Sequence, residues 1–198
     1  MIAILLALSA ATRTPPPDTN CLWGQNVEAG QPGPIDPPPS VRARSPKDSV
    51  SFAAGGSVVK VCYSRPSARG RTMIGGEAVP FGRVWRTGAN EPTMFHTTGH
   101  LVIAGIHVNA GTYALYTVPG QSEWEIIINR SYHQWGEESN YTDSVRAKEL
   151  GRGRVPAQHV DGMIEQFTIR AEPAAGGDAS LILEWEHTRV SVPVQRMR

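Results

Sequence analysis

From position 57 onward, apolar residues recur at every second position in short runs, and each run ends at glycine, proline, asparagine or serine. That period sends alternate side chains to opposite faces of a strand, and such frequent breakers leave no space for long helices in between. In SVVKVCYS (57–64), Val59, Val61 and Tyr63 face one way and Val58, Lys60 and Cys62 the other. TMFHTT, LVIAG, TYALYTV, WEIIINR, MIEQFTIRAE and SLILEWEHTRVSV follow. Pro119 and Gly120 mark one hairpin, and Gly176 and Gly177 another. In the last run Leu181, Leu183 and Trp185 oppose Glu184 and Glu186, the alternation of a sheet wet on one face. The pattern predicts an all-β fold, an antiparallel β-sandwich or flattened barrel. At most one short helix is expected, in TDSVRAKEL, capped by Thr142 or Asp143.

Before this domain the chemistry changes. Residues 12–48 carry two PPP triplets, scattered glycine and few apolar side chains, with no strand or helix period. They read as an extended proline-rich arm. Fixing each backbone residue costs about 1 kcal/mol, and this composition has little apolar surface to offset it, so the arm is expected either to be disordered in solution or to lie across another surface. Residues 1–11 form an apolar run followed by small residues, the order of an export signal. A helix of that run is about 15 Å long, half of a bilayer's hydrocarbon thickness. The segment is therefore expected to be a cleaved signal or to dip into a membrane, without spanning it. The division expected is 1–11, 12–48 and a domain over 49–198.

With 19 basic and 18 acidic residues and a net charge of +1, the chain has no field to gather a phosphate backbone, so nucleic acid is not an expected partner. The two cysteines, Cys21 and Cys62, have two readings. They pair in an oxidising compartment, closing about forty residues for on the order of 4 kcal/mol, or Cys62 is a small buried residue on a strand and Cys21 a free thiol.

Catalytic signatures are sparse. There is no G-x-S-x-G elbow. His96, His100 and His107 lie too far apart along a strand to share an ion, and His133, His159 and His187 lack even that spacing. No metal and no cofactor is expected. GRGR (151–154) and RGR (69–71) read as solvated loops because neither joins a strand to a helix.

What remains is a set of polar and aromatic residues: Tyr63, Arg65, Trp85, Arg86, Thr87, Asn90, Glu91 and Trp135. Arg65, Arg71 and Arg86 can fork onto Glu91 or Glu77, with Trp85 and Trp135 as flat faces for guanidinium stacking. The order Tyr63-Ser64-Arg65-Pro66-Ser67, Gly70-Arg71, Val79-Pro80, Trp85-Arg86-Thr87-Gly88-Ala89-Asn90-Glu91, Gly111-Thr112-Tyr113, Gln134-Trp135-Gly136 and Glu165-x-Phe167 resembles the bacterial family called domain of unknown function 2911. The resemblance covers about residues 57–170, with Phe81 where tyrosine is usual and Pro92 where a small residue is common. It implies an exported β-rich domain and no agreed activity.

Two functions follow as expectations. The first is a non-catalytic accessory or docking protein, periplasmic or extracellular, a peripheral subunit of a larger membrane-bound assembly. The second is a binding protein or enzyme that holds an anionic small molecule on Arg65, Arg86, Asn90 and Glu91, with Glu91 as base.

Overall fold

The computed structural model describes Cys21 and residues 44–134, 136 and 138–197. The apolar segment 1–11 and nearly all of the proline-rich arm lie outside the described residues, as does Trp135. Among the described residues nine strands follow in order: β1 (Lys47–Ala54), β2 (Ser57–Ser64), β3 (Thr93–Thr97), β4 (Leu101–Ile103), β5 (Ile106–Val108), β6 (Gly111–Val118), β7 (Glu123–Asn129), β8 (Glu149–Pro173) and β9 (Ala179–Arg196). All pairings are antiparallel, in the order β1-β2-β3-β6-β7-β8-β9-β4-β5. The all-β antiparallel class expected from the alternation is the class found. Helix α1 (Asp143–Arg146) is a single turn, and its cap is Thr142, whose hydroxyl oxygen accepts from the Val145 N–H at 3.4 Å. Two 3-10 turns complete the described residues, Glu138–Asn140 and Ala175–Gly177.

One strand makes the sheet fold over on itself. The first part of β8 pairs with β7 through Pro156, and from Ala157 onward it pairs with β9. The β1–β2 end of the sheet then meets the far end of β8 and β9: Gly55 N–H donates to Gly177 O at 2.8 Å, and Phe167 N–H to Pro66 O at 2.9 Å. Side chains from both layers fill the space between. Val59, Val61, Tyr63, Phe95, Leu115, Ile126 and Ile128 meet Phe167, Ile169, Leu181, Leu183 and Trp185 in one buried cluster. At its centre the Trp85 ring stacks on Trp185 with centroids 5.7 Å apart, and Phe167 and Trp124 set edges against it at 5.0 and 6.1 Å.

Three local expectations change. The GRGR stretch is the first part of β8 rather than a loop. Its Gly153 sits against the β4–β5 turn, where a Cβ would overlap the Ala104 carbonyl oxygen, while Arg152 and Arg154 reach across to Glu125 and Glu123. The second change concerns the wet face of β9. Glu186 lies at a bulge with φ of 52°, and its carboxylate accepts from the backbone N–H groups of Met73 and Ile74 at 3.0 and 2.8 Å. Glu184 does point outward but is 7% exposed, gripped by Arg170 and Arg189. Burial alone would push its carboxyl up, and the hydrogen bonds from Arg170 and Arg189 outweigh it and hold the group ionised. Third, the middle of the sheet is covered on both faces. Ala114, Tyr116 and Ile127 form a second buried cluster with Val84, Val118, Tyr132 and Tyr141.

Cys21 and Cys62 are bridged, with Cα atoms 5.7 Å apart. Cys62 projects on the face of β2 opposite to Tyr63, between Ser49 of β1 and Met94 of β3. The bridge closes a loop with a sequence separation of 41.

The contact that joins the layers most directly is the Tyr63 hydroxyl. It accepts from Ile169 N–H at 2.9 Å and lies 3.2 Å from Ile169 O, with Asp48 as a further acceptor at 3.3 Å. Tyr63→Phe leaves both backbone groups of Ile169 without that partner. The expected loss is about 1–3 kcal/mol in urea unfolding. A loss below about 0.5 kcal/mol contradicts this role.

Candidate functional site

The long connection from β2 to β3 carries both motifs, and each half is fixed by a different part of the sheet. The first half, from Tyr63 onward, lies along β8 at a register shift between Ile164 and Thr168. The shift turns β8 carbonyls away from β9, and the connection takes them up. Ala68 N–H donates to Glu165 O at 2.9 Å, Ser67 bridges to Gln166, and Gln166 Nε2 donates to Arg65 O at 3.3 Å. Arg65 distributes its guanidinium over Phe167 O at 3.2 Å, Thr168 Oγ1 at 2.9 Å and the Asp48 carboxylate at 3.1 Å. Arg71 turns back onto Ala68 O and Ser67 O at 3.0 and 3.2 Å. Neither of these arginines forks onto Glu91 or Glu77 as the sequence suggested. Arg65 is taken instead by β8 groups at the bulge and a β1 carboxylate, all distant in sequence, and Arg71 by carbonyls of its own turn.

The second half begins with a single bridge from Trp85 to Thr117 on β6: Trp85 N–H donates at 2.7 Å, and Thr117 N–H returns the bond at 2.9 Å. This sends the indole inward, where it stacks on Trp185 rather than on a guanidinium, and its Nε1–H donates to Gly88 O at 3.1 Å. Thr87 follows with φ of 55°, a left-handed conformation that costs a β-branched residue on the order of 1–2 kcal/mol. Three buried hydrogen bonds hold the turn: Thr87 Oγ1 to Thr117 Oγ1 at 3.1 Å, Thr93 Oγ1 to Thr87 O at 2.6 Å, and Thr93 N–H to Arg86 O at 3.0 Å. Asn90, at φ of 63°, accepts from Gly136 N–H at 3.0 Å through its carbonyl. A Cβ on Gly136 would come within 2.5 Å of both Arg86 Cδ and Asn90 O, so this close approach needs glycine. Asn90 and Glu91 are 6% and 7% exposed. The Asn90 Nδ2 is buried without a hydrogen-bond partner.

Of the eight candidate residues, seven are described: Tyr63 and Arg65 lace the layers together, Trp85 and Thr87 pack inside, Arg86 and Asn90 converge on Gly136, and Glu91, next to Asn90, is buried. Trp135 lies outside the described residues.

Beside Gly136 stands a group that local sequence reading missed. Tyr116 and Tyr141 meet edge to face at 4.7 Å. Gln134 Nε2 donates to the Tyr116 hydroxyl, and Tyr141 donates to Glu149 at 2.7 Å. Arg152 bridges Glu149 and Glu125, both at 2.9 Å. Asn129 ends β7 by donating to Val145 O at 2.8 Å and accepting from Ser131 N–H at 2.8 Å. The signal was the unbroken apolar run Ile126-Ile127-Ile128, which marks a strand covered on both faces.

The electrostatics of this region are set for rigidity. Burial pushes the phenols of Tyr116 and Tyr141 well above the ordinary tyrosine range, and Tyr63 up to about 12. Burial would raise the Glu149 carboxyl too, but hydrogen bonds from Arg152 and Tyr141 hold it below its usual value. Burial lowers His96, whose Nδ1 lies 2.9 Å from Thr112 Oγ1. These shifts move the groups away from neutrality, where a general acid or base operates best.

Residues 45–194 match the family described as "Protein of unknown function (DUF2911)", and the chain belongs to that family. No curated protein and no solved structure matches it.

Two outcomes follow. Gly136→Ala is expected to cost about 1–3 kcal/mol because backbone and Arg86 must shift, whereas Gly162→Ala, which meets nothing within 4 Å, stays within about 0.5 kcal/mol of the parent. Chemical denaturation of both variants decides. The second concerns alkali. A phenol whose folded pKa is raised contributes fully below the unfolded value near 10 and loses that contribution as pH rises through the folded one. Unfolding free energy is therefore expected to stay level on this account up to about pH 10 and to fall toward pH 12, with phenolate absorbance of Tyr63, Tyr116 and Tyr141 delayed until then. Ionisation of all five tyrosines near pH 10 in the folded protein contradicts it.

Proposed function

We propose that this protein is a non-catalytic exported accessory subunit, docked peripherally on the periplasmic face of a larger membrane-bound assembly. The observation that carries this reading is the fate of the motif residues. Tyr63, Trp85 and Thr87 are buried to 1%, 7% and 0% exposure and bonded within the fold, so the family's most specific pattern serves to close the sheet. Supporting it is the leader. Its proline-rich composition has too little apolar surface to order itself, and a partner surface supplies what is missing. The Cys21–Cys62 bridge attaches that leader to β2, and such a bridge is compatible with an oxidising compartment outside the cytoplasm. No helix among the described residues is long and apolar enough to cross a membrane.

A second reading is a binding protein or enzyme for an anionic small molecule. One observation favours it, the buried Asn90 amide nitrogen that lacks a partner. Against it, Arg65 is committed to Asp48 and β8.

Gentle isolation of the full chain from native membranes, followed by mass spectrometry of everything that accompanies it, separates the two. The accessory reading expects a stable set of membrane-assembly polypeptides at constant ratio and a leader protected from protease. A lone monomer with a freely digested leader overturns it. A small molecule retained by that monomer, and lost in Arg86→Ala with folding intact, supports the second reading.

A further inference from the structure

The long β8–β9 ribbon contains a second register shift that no motif covers. His159 pairs with Thr188 and Ile164 with Glu186, so residues 160–163 of β8 face His187 alone on β9. In a regular ladder His187 would lie opposite Val160, and the His159 side chain would point to the other face. The extra residues break that alternation. The two imidazoles instead stack, with centroids 5.4 Å apart and planes 22° from parallel, and both residues are exposed. They are 28 positions apart in sequence, which is why spacing gave no hint of them.

The hydrogen bonding sets up a ligand. His187 Nδ1 lies 3.1 Å from Val160 O. A carbonyl oxygen only accepts, so that nitrogen carries the proton and Nε2 of the neutral ring keeps its lone pair. A backbone carbonyl fixing the far nitrogen is the arrangement that orients metal-ligating histidines. The His159 ring has no hydrogen bond among the described residues, so it is free to turn about its side-chain torsions and aim a nitrogen beside that lone pair. We propose that His159 and His187 form a two-imidazole surface site for a divalent late first-row metal ion: copper, nickel or zinc. Imidazole is the borderline donor that suits these ions over magnesium or calcium. Among the described residues no third histidine, cysteine, aspartate or glutamate joins the pair, so water completes the coordination and the site stays open at the protein surface.

The test is titration of the full-length protein with Cu(II) alone, the tightest-binding member of that series. Calorimetry reads affinity, and electron paramagnetic resonance reads coordinated nitrogen. His159→Gln and His187→Gln are each expected to weaken binding roughly tenfold or more and to remove the two-nitrogen signature. His100→Gln, another exposed histidine, bonded to Asn109, serves as control and is expected to change neither. Near-ultraviolet circular dichroism of the variants confirms that the tryptophan core is intact. Absence of binding by the parent protein overturns the proposal and leaves a stacking pair only. So does binding unchanged in either glutamine variant, or equal loss in the control.

Discussion

Burying the Tyr63 phenol against the backbone of Ile169 fixes which part of β8 the β2 end of the sheet must face. A tyrosine placed there without partners would leave a hydroxyl stranded in a low-dielectric interior, so the site is stable only in the one register that offers Ile169 N–H and C=O together. Arg65 adds the same requirement from the rim, because its three contacts exist only where β8 is bulged and β1 brings Asp48 alongside. With these two residues seated, the aromatic centre follows: Trp85 arrives over Trp185, and Phe167 and Trp124 close around it. Hydrophobic burial supplies most of the driving force, while the polar contacts choose among the ways two greasy sheet faces can meet.

How far this was legible depended on whether a residue's partner is near it in sequence. Alternation pointed to the strands, Thr142 or Asp143 to the helix cap, and Pro119-Gly120 and Gly176-Gly177 to the hairpins, because each depends on neighbours a few positions away. Arg65 pairs with neither Glu91 nor Glu77 because its partners are β8 groups exposed by a bulge and a carboxylate on β1, neither of which has a local signature; Arg71 instead closes its own turn onto the Ser67 and Ala68 carbonyls. Glu186 read as a solvent-facing strand residue, since nothing in its neighbourhood announces a positive φ or the Met73 and Ile74 amides it caps. The GRGR run has the glycine and charge of a solvated loop and no strand-to-helix context, yet it lies in β8. Its glycine instead answers a close approach by the Ala104 carbonyl, an approach visible only once the β4–β5 turn is placed.

The candidate site shows the same division. WRTGANE holds two left-handed residues that are not glycine, and such strain persists only where surroundings over-determine it. Here the determinants are present: the Thr87–Thr117–Thr93 hydrogen bonds on one side and Gly136 on the other. Burial holds the Tyr116 and Tyr141 phenols protonated, and hydrogen bonds from Arg152 and Tyr141 hold the Glu149 carboxylate ionised, so these three groups keep their charge states near neutrality.

The Cys21–Cys62 bridge has a topological consequence. It joins the leader to the middle of β2, while the peptide chain joins the same leader to β1, so everything from Cys21 to Lys47 belongs to a covalent ring whose two ends sit on adjacent strands. A single peptide-bond cleavage anywhere inside that ring opens it without detaching either fragment. Shedding whatever precedes Cys21 by a cut within the ring demands two different chemistries, hydrolysis and reduction, acting on the same molecule.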